Sequence, residues 1–341
     1  MRASRTGRTT VVALAVGSIL VLSVPGCGGS ARADVHEFGG AAMGSTYEVK
    51  FVGDVPLGRV RAEVESELAS ADEAFSLWRE DSEISRFNRF HSTEPFAASP
   101  RMVDAARLAL DLAGRTEGAF DPTVEPLTSV YRAARQRDRA PSESELDRAR
   151  SRVGYRRLRV EGAALVKEIP DLRIDLDGIV AGLCADRIAA RLDRLGVRGF
   201  YLQITGEVYC RGVKAEGSPW RIAVRDPLGS PTDPATVLEL EDRALCTSGD
   251  YENYIVSSGR VWHHVFDPRT GRNPKTEVVS VSVLARSCAL ADGLGTALMV
   301  LGPEKAAGLF EGWPDQGLGA LFFLPDPGGL RRVEVGWPGE D

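Results

Sequence analysis

What the 341-residue sequence lacks excludes several classes of function. It has no basic excess: Lys and Arg total 42 against 48 for Asp and Glu, a net charge of −6. A broad nucleic-acid-binding surface normally carries the opposite sign, so nucleic acid is not an expected partner. The five cysteines (Cys27, Cys184, Cys210, Cys246, Cys288) show no C-x-x-C spacing and no neighbouring histidine, which argues against a zinc site. No apolar run reaches the length of a comfortable transmembrane helix; Val11 to Val24 falls short of it. Internal repeats, coiled-coil heptads and a second catalytic module are absent as well. What is present is an ordinary globular composition, 43% hydrophobic and 26% charged, enough for one large domain or two small ones.

The first residues read as a targeting segment. Arg2, Arg5 and Arg8 precede the apolar stretch Val11 to Val24, the layout of an export signal. It ends in Leu22-Ser23-Val24-Pro25-Gly26-Cys27, which looks like a bacterial lipobox. The sequence therefore predicts a signal peptide over 1–26, a tether over 27–36 and a folded domain over 37–341. A lipid on Cys27 would anchor the exported protein to a membrane, in the periplasm or on the outer face of the cytoplasmic membrane; the alternative is ordinary cleavage nearby. The other cysteines would form disulfides or, as their apolar neighbours favour, buried thiols.

Hydrophobic periodicity sets out a scaffold of helices and strands. Tyr47, Val49 and Phe51 alternate with polar residues as in a strand, and Val60, Val64, Leu68, Ala71 and Phe75 recur at helical spacing. Met102 to Ala113 reads as a second amphipathic helix, and Ser142 with Glu145 as a capping box. Tyr131 to Pro141 is arginine-rich and reads as a solvated face. Arg173 to Leu176 predicts a strand that feeds a helix, Ile179 to Leu195, through Asp177-Gly178; free N–H groups at that turn would suit a diphosphate. Gly199 to Arg211 reads as strand, turn and strand, and Val278 to Leu284 as a further strand. Cys288 to Leu301 is small and apolar up to Gly302-Pro303 and predicts a buried helix. On it Asp292 and Thr296 stand at i and i+4, one face presenting a carboxylate and a hydroxyl, donors for a hard cation such as Mg²⁺.

Several ordered motifs resemble those of the ApbE family of flavin transferases, from about Met43 to about Leu309. They are Met43-Gly44-Ser45-Thr46, the Trp78 and Ser82-Glu83-Ile84-Ser85 region, Gly118-Ala119-Phe120-Asp121-Pro122-Thr123, and Asp175 to Asp186. Further on stand Trp220 to Pro227, Thr247-Ser248-Gly249, His264 to Gly271 and Ala291 to Ala297. Asp177, Val180 and Ala181 depart from the pattern, and Thr205-Gly206-Glu207 stands where the family carries Gly-Gly-Asp or Gly-Gly-Asn. A backbone need for that first glycine would strain Thr205.

The resemblance implies a mixed α+β fold in two interleaved lobes, with FAD in the cleft between them. It implies Mg²⁺-dependent transfer of FMN from FAD to a threonine or serine of an acceptor redox protein, with AMP released. An FAD diphosphatase and a non-catalytic FAD-binding lipoprotein are the alternatives. By resemblance Met43 and Trp78 contact the isoalloxazine, and Ala119, Phe120 and Asp121 lie along the flavin. Asp177, Thr247, Ser248 and Gly249 face its phosphates, and the Val180 carbonyl, Asp292 and Thr296 hold the metal. His264 is the candidate base and a flavin contact, although His263 adjoins it. Asp267 either orients the imidazole or caps a turn.

Overall fold

The structure is a computed structural model that describes residues 35–229, 234–250, 254–257, 260–263 and 265–338. The segment over 1–26 expected to be a signal peptide, Cys27 and His264 lie outside the described residues. In chain order the first elements are β1 (Val35–Ala42), β2 (Ser45–Val52), α1 (Leu57–Phe75), α2 (Glu83–Arg89), β3 (Phe96–Ala97) and α3 (Pro100–Arg115). Then come α4 (Glu125–Gln136), α5 (Glu143–Arg150), β4 (Leu158–Glu161), β5 (Ala164–Lys167) and α6 (Asp177–Leu195). Strands follow as β6 (Gly199–Ile204), β7 (Glu207–Arg211), β8 (Trp220–Arg225), β9 (Pro234–Leu240) and β10 (Arg243–Gly249). The chain closes with β11 (Tyr254–Ser257), β12 (Arg260–His263), β13 (Ser280–Ala285), α7 (Cys288–Leu301), α8 (Pro303–Phe310), β14 (Gly319–Asp326) and β15 (Gly329–Val335).

An eight-stranded sheet in the order β1-β2-β6-β7-β10-β13-β14-β15 forms the frame. Each neighbouring pair is antiparallel. Successive side chains of a strand point to opposite faces, and here both faces of the central strands are covered. Phe200, Leu202, Ile204, Val281 and Val283 face a core shared with Ile179 and Ile188 of α6 and Leu290, Leu294 and Leu298 of α7. Tyr201 and Leu284 face the opposite way, onto Trp220, Ile222 and Leu238 of the β8–β9 ribbon. Such two-sided burial explains why Val278 to Leu284 alternates only in part.

α6 and α7 meet at backbone distance. A Cβ on Gly182 would sit 2.5 Å from the Cys288 carbonyl oxygen, and one on Gly295 would sit 2.8 Å from the Ser248 hydroxyl. At Gly182 only glycine lets the two helix backbones touch, and at Gly295 the missing side chain leaves room for the Ser248 hydroxyl of β10.

Most sequence expectations match. The capping box at Ser142 and Glu145 is formed, and α7 spans the expected residues. Thr205 takes φ 54, the left-handed conformation its motif implied, at the β6–β7 turn. Arg173 to Leu176 is a correction: it is no strand. Its backbone is satisfied by a side chain and a loop instead. Asn88 accepts the Ile174 N–H at 2.7 Å and donates to the Ile174 carbonyl at 2.8 Å, while the Asp175 N–H donates to the Pro122 carbonyl. Among the described residues, no helix is long and apolar enough to cross a membrane.

Candidate active site

A cavity of about 440 Å³ opens where the loop after α3, the start of α6, the end of β10 and one face of α7 converge. Ala119, Phe120 and Asp121 line one side, Asp177 and Gly178 a second, and Thr247, Ser248 and Gly249 a third. Thr296 lines it as well, along with Val265, Phe266 and Pro268. Segments far apart in the chain, each singled out by sequence, thus line one cavity.

Local hydrogen bonding fixes each wall. Thr116 donates its hydroxyl to the Leu112 carbonyl at 2.8 Å and accepts the Phe120 N–H at 3.1 Å, turning the chain out of α3. Asp121 accepts the Thr123 N–H and hydroxyl on Oδ1 and the Tyr155 N–H on Oδ2 at 2.9 Å, so its carboxylate braces the loop. Burial nonetheless pushes its pKa up. The 265–268 segment leans on α4, with Phe266 stacked on Tyr131 at 4.8 Å, a geometry worth about 0.5–1.5 kcal/mol beyond area burial.

α6 begins inside the cavity. Its Asp177 N–H already donates to Asp175 Oδ1 at 3.0 Å, so fewer free N–H groups face the cavity than the sequence implied. The Asp175 charge, then burial, push Asp177 up to about 8, with Arg132 opposing. A diphosphate beside these two acids adds like charge that favours their protonated forms, and a cation brought with it relieves that repulsion.

α7 supplies the opposite face. Asp292 is buried, and its Oδ2 accepts the Gly182 N–H at 3.1 Å. Its Oδ1 accepts no hydrogen bond among the described residues, and burial pushes its pKa up to about 7 despite the Gly182 N–H. One turn on, Thr296 lines the cavity, whereas Asp292 and Val180 of α6 are buried and are not among its lining residues. Glu207, not foreseen as a site residue, leaves Oε2 buried without a hydrogen-bond partner among the described residues. Burial and the Asp292 charge raise its pKa, against the Cys246 thiol and the Thr247 N–H. A carboxylate and a hydroxyl on one face of α7, at Asp292 and Thr296, are donors that suit a hard divalent cation. Among the described residues no three histidine, cysteine or acidic side chains form a metal cluster, so the fit rests on mixed oxygen donors.

Asp186 was matched by sequence but given no role. It reaches from α6 to the start of α7, where Oδ1 accepts the Cys288 N–H at 2.8 Å. Oδ2 accepts the Ala289 N–H at 3.1 Å and the Ser287 hydroxyl at 2.7 Å.

Other expected residues stand apart. Met43 occupies the β1–β2 turn with φ 52 and lines a separate cavity with Tyr47 and Leu68. Trp78 is 76% exposed, with the Arg132 guanidinium 4.7 Å from its ring centroid. Asp267 binds the Arg269 backbone N–H at 2.9 Å and its guanidinium at 2.8 Å, and its own backbone closes the 267–272 turn. Its carboxylate caps a turn, and any bond from it to the His264 imidazole lies outside the described residues.

Comparison with known proteins gives this geometry a context. Residues 43–322 match the profile of the ApbE family. The FAD:protein FMN transferase of Vibrio cholerae serotype O1 is 38% identical over 309 residues, covering 89% of this chain and 91% of that protein. The FAD:protein FMN transferase of Escherichia coli K12 is 33% identical over 253 residues, 72% of each chain. Among solved structures, the flavin transferase ApbE from Vibrio cholerae superposes with a TM-score of 0.79 at 34% identity, covering 89% of this chain and 97% of that one. The apo flavinyl transferase ApbE of Pseudomonas stutzeri superposes with a TM-score of 0.79 at 36% identity, covering 89% and 95%. The cavity is therefore built from the motifs of a known group, and the chain belongs to the ApbE family.

Proposed function

We propose that the protein transfers the FMN half of FAD to a serine or threonine hydroxyl of an acceptor protein and releases AMP. The observation that carries this reading is the convergence in one cavity of the 119–121 loop, the start of α6, Thr247-Ser248-Gly249 and Thr296. The acceptor oxygen forms a bond to the phosphorus of the FMN half as the bond to the AMP oxygen breaks. The acceptor proton must leave, and AMP departs with the bridging oxygen. Positioning and charge neutralisation dominate the demands of such a step.

The residues present suit those demands. Ser248 and Gly249 offer a hydroxyl and a backbone N–H to phosphate oxygens, while the Thr247 hydroxyl is engaged with Ser282 at 2.7 Å, which fixes the strand end. Asp292, Thr296 and the Val180 carbonyl would hold Mg²⁺. Bound there, Mg²⁺ supplies the positive charge that a diphosphate beside Asp175 and Asp177 requires. The resemblance nominates His264 as the base, and imidazole titrates near neutral pH. The flavin contacts assigned to Met43 and Trp78 require those side chains to approach the bound isoalloxazine. Export and lipid attachment at Cys27 complete the proposal and place the enzyme at a membrane surface, beside exported redox acceptors.

The test is incubation of the purified protein with FAD, Mg²⁺ and an acceptor domain, with mass and in-gel flavin fluorescence followed beside an Asp292→Ala control. An FMN-sized mass gain on the acceptor, lost in the control, is expected. Free FMN and AMP with no labelled acceptor would replace the transferase with a diphosphatase. FAD that stays bound and intact would leave only a carrier.

A further inference from the structure

A second cavity, of about 280 Å³, shares Asp121 and Pro268 with the first and so adjoins the flavin site. Its character is opposite. Arg150, Arg156, Arg157 and Arg269 line it, in a chain whose net charge is −6. Arg150 comes from the end of α5, Arg156 and Arg157 from the short turn over Tyr155–Arg157, and Arg269 from the turn braced by Asp267.

The arginines differ in how far they are neutralised. Arg269 is paired with Asp267 at 2.8 Å. Arg150 donates to the Arg269 carbonyl at 3.3 Å, and Arg157 donates to the Ser151 carbonyl at 2.6 Å. The Arg156 guanidinium lies 4.9 Å from the Tyr155 ring centroid. Arg150, Arg156 and Arg157 thus meet carbonyls or a ring and make no ion pair among the described residues. The acidic residues of this wall do not change that balance. Asp121 is committed to Thr123 and Tyr155, and the Glu117 charge acts with Asp267 in raising the pKa of Arg269. Each guanidinium keeps N–H donors in the fork geometry that matches carboxylates.

An acceptor protein cannot present its hydroxyl alone. The residues on either side of it must rest on the surface next to the cavity mouth, and beyond the Asp121–Pro268 wall that surface is this arginine pocket. From this we infer that the pocket docks an acidic segment of the acceptor polypeptide, close in sequence to the modified serine or threonine. The inference rests on the transferase reading. It goes further in assigning the chemistry of the partner and the residues that recognise it. Aspartate or glutamate side chains would pair with Arg150, Arg156 and Arg157, orient the segment and steer its encounter with an otherwise acidic protein.

The test measures binding, with and without FAD, of two fluorescein-labelled peptides of equal length around a central threonine, one flanked by aspartates and the other by lysines. The anisotropy titrations use the full chain and two variants, Arg150→Ala/Arg156→Ala and the milder Arg156→Ala, in case the double variant folds poorly. At low salt the aspartate peptide should bind about tenfold more tightly than the lysine peptide, and the advantage should shrink as salt rises. The double variant should lose most of that preference, and Arg156→Ala part of it, with FAD affinity unchanged. Equal binding of the two peptides, or a preference untouched by both variants, overturns the inference. So does displacement of the aspartate peptide by inorganic phosphate at matched ionic strength, which would make the pocket a small-anion site. A parallel fall in FAD affinity would assign the arginines to the flavin nucleotide and overturn it too. Failure of the wild-type chain to bind FAD would instead defeat the transferase reading, a separate result.

Discussion

Asp186 Oδ1 accepts the N–H of Cys288 at 2.8 Å, so a carboxylate of α6 caps the first turn of α7. Together with its bonds to Ala289 and Ser287, Asp186 satisfies donors that a helix start otherwise leaves open. The helix that carries Asp292 and Thr296 is therefore held in place by a residue that does not line the cavity.

Replacing that residue should loosen the site before it touches chemistry. Asp186→Ala is expected to cost about 1–2 kcal/mol of stability through the lost cap. It should also weaken Mg²⁺ affinity, since Asp292 sits one turn further along. Urea unfolding and Mg²⁺ titration by calorimetry check both; unchanged values in each would mean that Ser287, which accepts the Leu290 N–H, caps α7 unaided.

Thr205 offers a prediction of opposite sign. At φ 54 a β-branched residue sits in a region glycine enters freely. Thr205→Gly relieves that strain but loosens the unfolded chain, so the net gain should be small, about 0.5–1 kcal/mol. A fall in the denaturation midpoint would show that the turn bears no strain.

The pH dependence turns on Lys167, fully buried, whose ammonium donates to the Phe90 carbonyl at 2.8 Å and lies 4.5 Å from the Phe87 ring centroid. Burial, with Arg173 adding to it, lowers its pKa from 10.5 to about 8. Between those values the unfolded chain holds a proton the folded chain has released, so stability from this group rises with pH across the window. Below about 8 the full cost of a buried ammonium remains. Wild type should therefore gain stability relative to Lys167→Met from pH 8 to pH 10.5. A difference that stays flat over that range, by urea titration, would contradict the shift.

Cys184, Cys210, Cys246 and Cys288 are free and buried, which resolves the choice between disulfides and thiols toward thiols. Burial pushes Cys184 up to about 12 and Cys210 and Cys246 well above the ordinary thiol range. Thiol reagents at pH 8 should label none of these cysteines in the native protein and all of them in urea. Rapid native labelling of any, located by peptide mapping, would contradict their burial. Cys246 and Cys288 stand with sulfurs 3.6 Å apart and unlinked.

Much of this architecture was legible in the sequence where signals were local. α7 was readable from its small apolar run, and the pairing of Asp292 with Thr296 from helical geometry. The strand expected at Arg173 to Leu176 failed because its backbone partner is Asn88, a side chain remote in sequence, and a run of alternating residues does not reveal which group satisfies its N–H. Asp186 and Glu207 escaped for the same reason: their roles lie in contacts with Cys288 and in the field of Asp292, set by how α6, β7 and α7 pack. Met43 and Trp78 were legible only through resemblance, and the described cavity does not include them.

Gly182 and Gly295 carry a consequence for how variants of this enzyme are interpreted. Neither has a side chain to offer a ligand, yet a single added methyl at either would press on the Cys288 carbonyl or the Ser248 hydroxyl. The methyl would act as a wedge, tilting α7 away from α6 or β10 and separating Thr296 from Ser248 while leaving every reactive group intact. Loss of activity at these positions would look like the loss of a catalytic residue, although what had been lost was only the close seating of α7 on α6 and on Ser248.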